Sequence, residues 1–152
     1  MLKDKLVIRS GRHSDLPAIL ELLAQDSFSP SPEPTVPDQH HLSAFDTIAA
    51  HTDHEIVVGT IDDQVIATLQ LSFIPGLSHQ GAWRAQVEAV RVHRNFRKLS
   101  IGTAMMQWVI VRARERGCWL VQLTTNRARA DAIRFYERLG FQASHVGMRL
   151  HL

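Results

Sequence analysis

Between Glu88 and Val109 the chain concentrates the residue types that can do chemistry. Glu88 stands in an alternating stretch and shares the period-two phase of Val90 and Val92, so one strand face is expected to carry all three. Arg94, Arg97 and Lys98 follow in a basic turn, and then the small residues Ser100 and Gly102. Ile101, Met105, Trp108 and Val109 recur at helical spacing and mark an amphipathic helix that starts from that turn. A helix start offers N–H groups without acceptors, and small residues and nearby cations suit it to an anion. A diphosphate fits such a place. Serine is a good N-cap, so Ser100 is expected near-helical and unstrained rather than at φ > 0.

Other reactive side chains are scattered. His79 and His93 titrate in a useful range and compete with Glu88 as proton acceptors, although His93 lies toward the basic turn. His40, His41, His51 and His54 match no H-E-x-x-H spacing, and no cysteine pair supports zinc, so no metal is expected. Cys118 is the single cysteine and sits in the apolar run Cys118-Trp119-Leu120-Val121, which reads as a structural thiol.

The elements that must position these residues follow from periodicity. A strand is expected at Leu6–Arg9. Ser14 caps a helix that holds Pro17 in its first turn and runs to Gln25, with Leu16, Ile19, Leu20 and Leu23 inward. Pro30, Pro32, Pro34 and Pro37 make residues 28–37 a loop. A second helix runs from Asp38 to Ala50. Glu55–Thr60 and Gln64–Ile74 form an antiparallel hairpin across Ile61-Asp62-Asp63. Pro75–Gly81 is a loop, Trp83–Val92 the next strand, and Trp119–Thr124 a buried strand after the central helix. Asp131–Leu139 is a short helix closed by Gly140, and the weakly alternating tail from Phe141 to Leu152 adds one or two strands. The pattern gives an α/β (α+β) fold: a mixed, mostly antiparallel central sheet with helices on both faces, in a single domain over residues 1–152.

The run Arg97-Lys98-Leu99-Ser100-Ile101-Gly102 resembles the R/Q-x-x-G-x-G/A turn of the GNAT family of N-acetyltransferases, with serine in place of its first glycine. Asn126 and the stretch Ala132-Ile133-Arg134-Phe135-Tyr136-Glu137-Arg138-Leu139-Gly140-Phe141 resemble that family's second motif, and the opening IRSGRHSDLPAILELL its usual start. The resemblance implies acetyl-CoA as cosubstrate. It implies a diphosphate on the main chain of Arg97, Lys98, Leu99, Ser100, Ile101, Gly102 and Thr103, and pantetheine amides along Val90, Arg91 and Val92. Asn126 and Ala132 fall in the second motif's cofactor region. Where the family often has a second asparagine this chain has Arg129, which either meets a phosphate or faces solvent. The resemblance also implies Tyr136 as the acid that protonates the leaving thiolate and Glu88 as the base, acting through water. Tyr136 is the only tyrosine. The stretches Thr124-Thr125-Asn126, Asp131-Ala132, Arg134-Phe135-Tyr136 and Ser144-His145 look somewhat like the aminoalkylphosphonate acetyltransferase branch.

Composition sets the bounds. The 152 residues are 45% hydrophobic and 21% charged, with a formal net charge of +2, as in ordinary globular domains. One cysteine permits no intrachain disulfide, and MLKDKLVIRS lacks the apolar core of a signal peptide, so a cytoplasmic protein without membrane association is expected. Arginines gather in the second half; those at Arg112, Arg114 and Arg116 read as a solvated helix end. No helix-turn-helix, zinc-finger or RRM pattern accompanies them, so no nucleic acid is expected. The acceptor is expected to be a small-molecule amine, and a homodimer is an open assembly. A non-catalytic module that binds CoA or nucleic acid is the alternative.

Overall fold

A computed structural model describes residues 1–25 and 33–152. It divides into two compact units, residues 1–122 and residues 123–152. The expected loop over 28–37 lies in part outside the described residues; Pro34 and Pro37 fall in irregular backbone before a helix.

The first unit is built on β1 (Val7–Ser10), β2 (His54–Ile61), β3 (Gln64–Ile74), β4 (Trp83–Val92) and β5 (Cys118–Leu123), in that spatial order. The first three pairings are antiparallel. The β2–β3 turn uses Asp62 and Asp63 at φ 47° and 63°, the left-handed pair of a two-residue hairpin. A helix crossover then brings β5 in beside β4 at the sheet edge.

α1 (Leu16–Ala24) and α2 (Gln39–Ala49) pack on β3 and β2 respectively, and α3 (Ile101–Glu115) on β3 and β4. Ile19 and Leu22 of α1 form a buried cluster with Val58 and Val65. Ile101, Met105, Met106 and Val109 of α3 are each at most 1% exposed, and every such side chain contributes about 1.5–3 kcal/mol of burial. Gly59 permits this approach: a Cβ there would lie 3.0 Å from Met105 Sδ and 3.3 Å from Ala67 Cβ.

Several expectations need correction. Ser14 lies inside a 3₁₀ turn, and Asp15 precedes α1. The Asp15 carboxylate is 7% exposed and receives Arg9 through both terminal nitrogens, at 2.7 and 3.0 Å, and the Arg12 N–H at 2.8 Å. Asp38, expected as the first residue of the second helix, instead caps α2, accepting from the His40 and His41 N–H groups. The end of α3 is tied down rather than merely solvated. Arg116 pairs with Asp53, donates to the Thr52 carbonyl, and stands 4.4 Å from the Phe73 ring centre. β5 is half-buried, and Trp119 remains 48% exposed, because an edge strand has a neighbour on one side only. Within residues 75–81, Ser78–Gly81 forms a left-handed turn.

The second unit holds α4 (Ala130–Arg138) and the tail. Residues 141–152 form no strand; Val146, Met148 and Leu150 alternate but remain exposed, and alternation makes a strand only where a neighbouring backbone supplies the ladder.

Candidate functional site

The ladder between β3 and β4 carries a fault at its centre. Gln70 pairs with Glu88 and Thr68 with Arg91, so three steps on β4 answer two on β3. Ala89 takes up the extra residue at φ 52°, a left-handed value that costs a non-glycine residue about 1 kcal/mol. An inserted residue flips every side chain beyond it. Glu88 therefore shares a face with Gln70, Thr68 and Arg91, whereas Val92 lies opposite Ala67 on the other face. The common face expected for Glu88, Val90 and Val92 is thus overturned. Glu88 is exposed, and beside the bulge a crevice of about 60 Å³ opens between α1 and the sheet, lined by Ile19, Leu23, Ile56, Thr68, Gln70 and Ala89.

Past Val92 the chain turns tightly into α3. His93 Nδ1 accepts from the Asn95 N–H at 3.2 Å, so that ring serves the turn, and Arg97 Nε donates to the Val92 carbonyl at 3.1 Å. Lys98 and Ser100 are both left-handed, at φ 62° and 63°. Ser100 does occupy the N-cap position, but its side chain caps nothing. The unstrained serine expected from the sequence is wrong, because an N-cap hydroxyl reaches the first turn from extended backbone, not from a left-handed one. The Ala104 N–H bonds the Ser100 carbonyl at 3.0 Å. Ile101, Gly102 and Thr103, which precede that bond, have N–H groups with no acceptor inside the helix. This uncapped start, preceded by the left-handed Lys98 and Ser100 on either side of Leu99 and with Arg97 and Lys98 exposed beside it, has the donor set a diphosphate needs.

His79, the other histidine considered as a base, stacks on Trp119 with ring centres 3.7 Å apart. Cys118 has its pKa raised by burial, as a thiol without nucleophilic activation would.

The second unit holds Asn126, Arg129, Ala132 and Tyr136. Asn126 Oδ1 accepts from the Ala128 N–H at 2.9 Å, and its carbonyl accepts from the Arg129 N–H at 2.9 Å, a turn that leads into α4. Arg129 is half-buried and forms the N-cap of α4; Ala132 lies in its first turn. Tyr136 is held by the helix end. The Phe141 N–H bonds the Tyr136 carbonyl at 3.1 Å and the Gly140 N–H bonds the Glu137 carbonyl at 2.9 Å, with Gly140 at φ 97°. The Tyr136 and Phe141 rings meet at 5.7 Å, the hydrophobic contact that accompanies this paired-bond ending. The Phe135 ring is also close, 5.0 Å from the Tyr136 ring centre.

The structure thus gathers Glu88, Val90, Arg91, Val92 and the turn from Arg97 to Thr103 in one unit, and Asn126, Arg129, Ala132 and Tyr136 in the other. Sequence reasoning missed the bulge at Ala89. It also missed Gln70, Gln86 and Gln122, carboxamides on central and edge strands; Gln122 Nε2 donates to Gln86 Oε1 at 2.7 Å. Their signal is polar residues recurring in otherwise apolar strands.

A mostly antiparallel five-stranded sheet, a bulged strand and an anion-suited helix start define the class. The chain belongs to the acetyltransferase (GNAT) family, whose model matches residues 16–141. It is 36% identical over 67 residues to the aminoalkylphosphonate N-acetyltransferase of Salmonella typhimurium, a stretch covering 44% of each chain and so less than half of that relative. It is 28% identical over 89 residues to the glucosamine 6-phosphate N-acetyltransferase of Trypanosoma brucei brucei, covering 59% of this chain and 58% of that one. The solved structure of a transcriptional regulator from Bacillus halodurans superposes with a TM-score of 0.93 at 39% identity, over 97% of this chain and 99% of that one. Among the described residues, no helix is long and apolar enough to cross a membrane.

Proposed function

We propose that this chain transfers the acetyl group of acetyl-CoA to a primary amine of a small molecule, by direct attack in a ternary complex. Acetyl-CoA, when bound, supplies the acyl thioester. The N–H groups at the start of α3 hold its diphosphate, with Arg97 and Lys98 adding charge. Val90, Arg91 and Val92 offer main-chain groups to the pantetheine amides as an added strand would. Asn126, Arg129 and Ala132 complete the cofactor side. Glu88, exposed beside the bulge, accepts the amine proton through water, and the Tyr136 phenol donates a proton to the departing thiolate. The uncapped start of α3 carries this reading, because family membership and local geometry agree on it. Two matched relatives are named for acetylating amines on small phosphorylated or phosphonate compounds, which supports a small-molecule acceptor. The family match spans both units, in keeping with one catalytic domain over residues 1–152. The reading places the protein in the cytoplasm and invokes no metal.

The test is Tyr136→Phe, which keeps the ring contacts with Phe135 and Phe141 and removes the proton donor. We expect kcat to fall about 10²–10⁴-fold with CoA affinity and melting temperature little changed. Turnover within about threefold of the parent, with chemistry rate-limiting, would remove the phenol from the mechanism. The likeness to a solved transcriptional regulator supports a second reading, a non-catalytic binding module. Thermal shift separates the two: stabilisation by duplex DNA and none by CoA would favour the module.

A further inference from the structure

The two faces of the central sheet differ in kind. On the face toward α3, Val57, Ala67, Leu69, Leu71, Ala85 and Val87 are each at most 1% exposed. On the opposite face a polar row crosses four strands at one level. His54 of β2 pairs with Ser72 of β3, and Ser72 with Gln86 of β4; paired residues share a face. Side chains connect the row: His54 Nδ1 lies 2.9 Å from Ser72 Oγ, and Gln122 of β5 donates to Gln86 at 2.7 Å. One level along, Gln70 pairs with Glu88. The centre of a covered sheet ordinarily carries aliphatic residues, and partly buried amides there cost free energy unless something pairs with them.

The Gln86–Gln122 bond uses one donor and one acceptor. Each carboxamide has two N–H donors and a carbonyl, so the pair still presents both kinds of group. His54, Gln86 and Gln122 are half-buried, reachable yet sheltered, while α1 buries its side chains further along, against Val58 and Val65. Hydroxyl groups, which donate and accept at one atom, match such a surface; a hydrocarbon would strand its amides. Gln86 and Glu88 stand two positions apart on the same face, about 7 Å along the strand.

From this we propose that Gln86 and Gln122, at the half-buried end of the row, read the body of the acceptor, and that the acceptor class is an amine carried on a hydroxyl-rich frame of the amino-sugar kind, its nitrogen toward Glu88; Ser72, 6% exposed and bonded to His54, lies behind them. The proposal rests on the acetyltransferase reading given above. A site built to pair hydroxyls rejects the analogue lacking them by far more than an apolar pocket discriminates by size.

The test compares glucosamine with cyclohexylamine, two ring amines that differ in hydroxylation, as acceptors for the parent, Gln86→Met and Gln122→Met. Dividing each variant's ratio of kcat/KM values by the parent's cancels the different basicities of the amines. We expect either change to lower the preference for glucosamine at least about tenfold, with CoA affinity unchanged. As a binding readout independent of turnover, glucosamine should shift the side-chain amide resonances of Gln86 and Gln122 in the parent, and cyclohexylamine should not. Acetylation of both amines with ratios unchanged in the variants, or glucosamine binding without those shifts, overturns this proposal alone. Acetyl-CoA binding with no transfer to any amine of a broad panel overturns the acetyltransferase reading and this proposal with it.

Discussion

Ser100 gives the sharpest test of the helix start proposed to hold a diphosphate. At φ 63° and ψ 13° it occupies the left-handed region, and its hydroxyl caps no N–H of α3. An L-residue there costs about 1–2 kcal/mol relative to right-handed backbone, a cost glycine escapes. Glycine in turn has a freer unfolded chain, which returns about 0.4–1 kcal/mol of that gain. Ser100→Gly is therefore expected to stabilise the protein by about 0.5–1 kcal/mol, or a rise of about 1–4 °C in melting temperature for a chain of this size.

Ser100→Ala separates this explanation from the capping one. Alanine suffers the same left-handed strain as serine and loses only a hydroxyl that makes no cap, so stability should stay within about 0.5 kcal/mol of the parent. A capping serine would instead lose about 1 kcal/mol on the same change. Urea unfolding of the three proteins, with equal m-values required, supplies the comparison. An alanine variant about 1 kcal/mol less stable, together with a glycine variant that gains nothing, would refute the left-handed assignment and restore Ser100 as an ordinary N-cap.

Two further changes test the frame. Asp15→Asn should cost about 2–3 kcal/mol, since Arg9 loses its bidentate partner but keeps some solvent contact, which urea unfolding would measure. Arg9 holds the Asp15 pKa below its ordinary 3.8, so this stabilisation is complete above the unfolded value and is lost as pH falls through the folded one; the asparagine variant should lack that acid-side component. Gly59→Ala should destabilise by about 1 kcal/mol, the low end for overpacking, because the nearest atom is the flexible Met105 thioether, and a neutral result by thermal melting would show that α3 shifts freely.

The elements legible in the sequence were those whose periodicity is local. The hairpin turn at Asp62-Asp63, the bounds of β4 and a helix beginning at Asp38 all depend on near neighbours, and the structure has them as expected to within a residue. What was not legible depends on partners distant in the chain. Nothing in Trp119-Leu120-Val121 marks β5 as an edge strand that leaves its tryptophan half in solvent against His79. The tail from Phe141 alternates as a strand would, yet no neighbouring ladder fixes it. Asp15 reads as a residue near a helix start, and only the fold brings it Arg9. The strain at Ser100 arises because the turn must leave β4 and enter α3 within a few residues, a requirement of the crossover rather than of serine.

The bulge is the instructive exception, because its cause stands in the sequence. Ala85 and Val87 face the dry side of the sheet. Continued alternation would add Ala89 and Arg91 to that side, and Arg91 would enter the layer of Leu69 and Leu71 beneath α3. An unpaired guanidinium there would cost several kcal/mol. One extra residue, taken up by Ala89 at a cost of about 1 kcal/mol, instead places Arg91 with Glu88 and Gln86 and sends Val92 to the dry face opposite Ala67. The mismatch between Val87 and Arg91 thus requires a break in β4, and the break falls beside Glu88. Reading the strand for a charged residue in an apolar phase, rather than for the longest run of agreement, finds the fault that shapes the site.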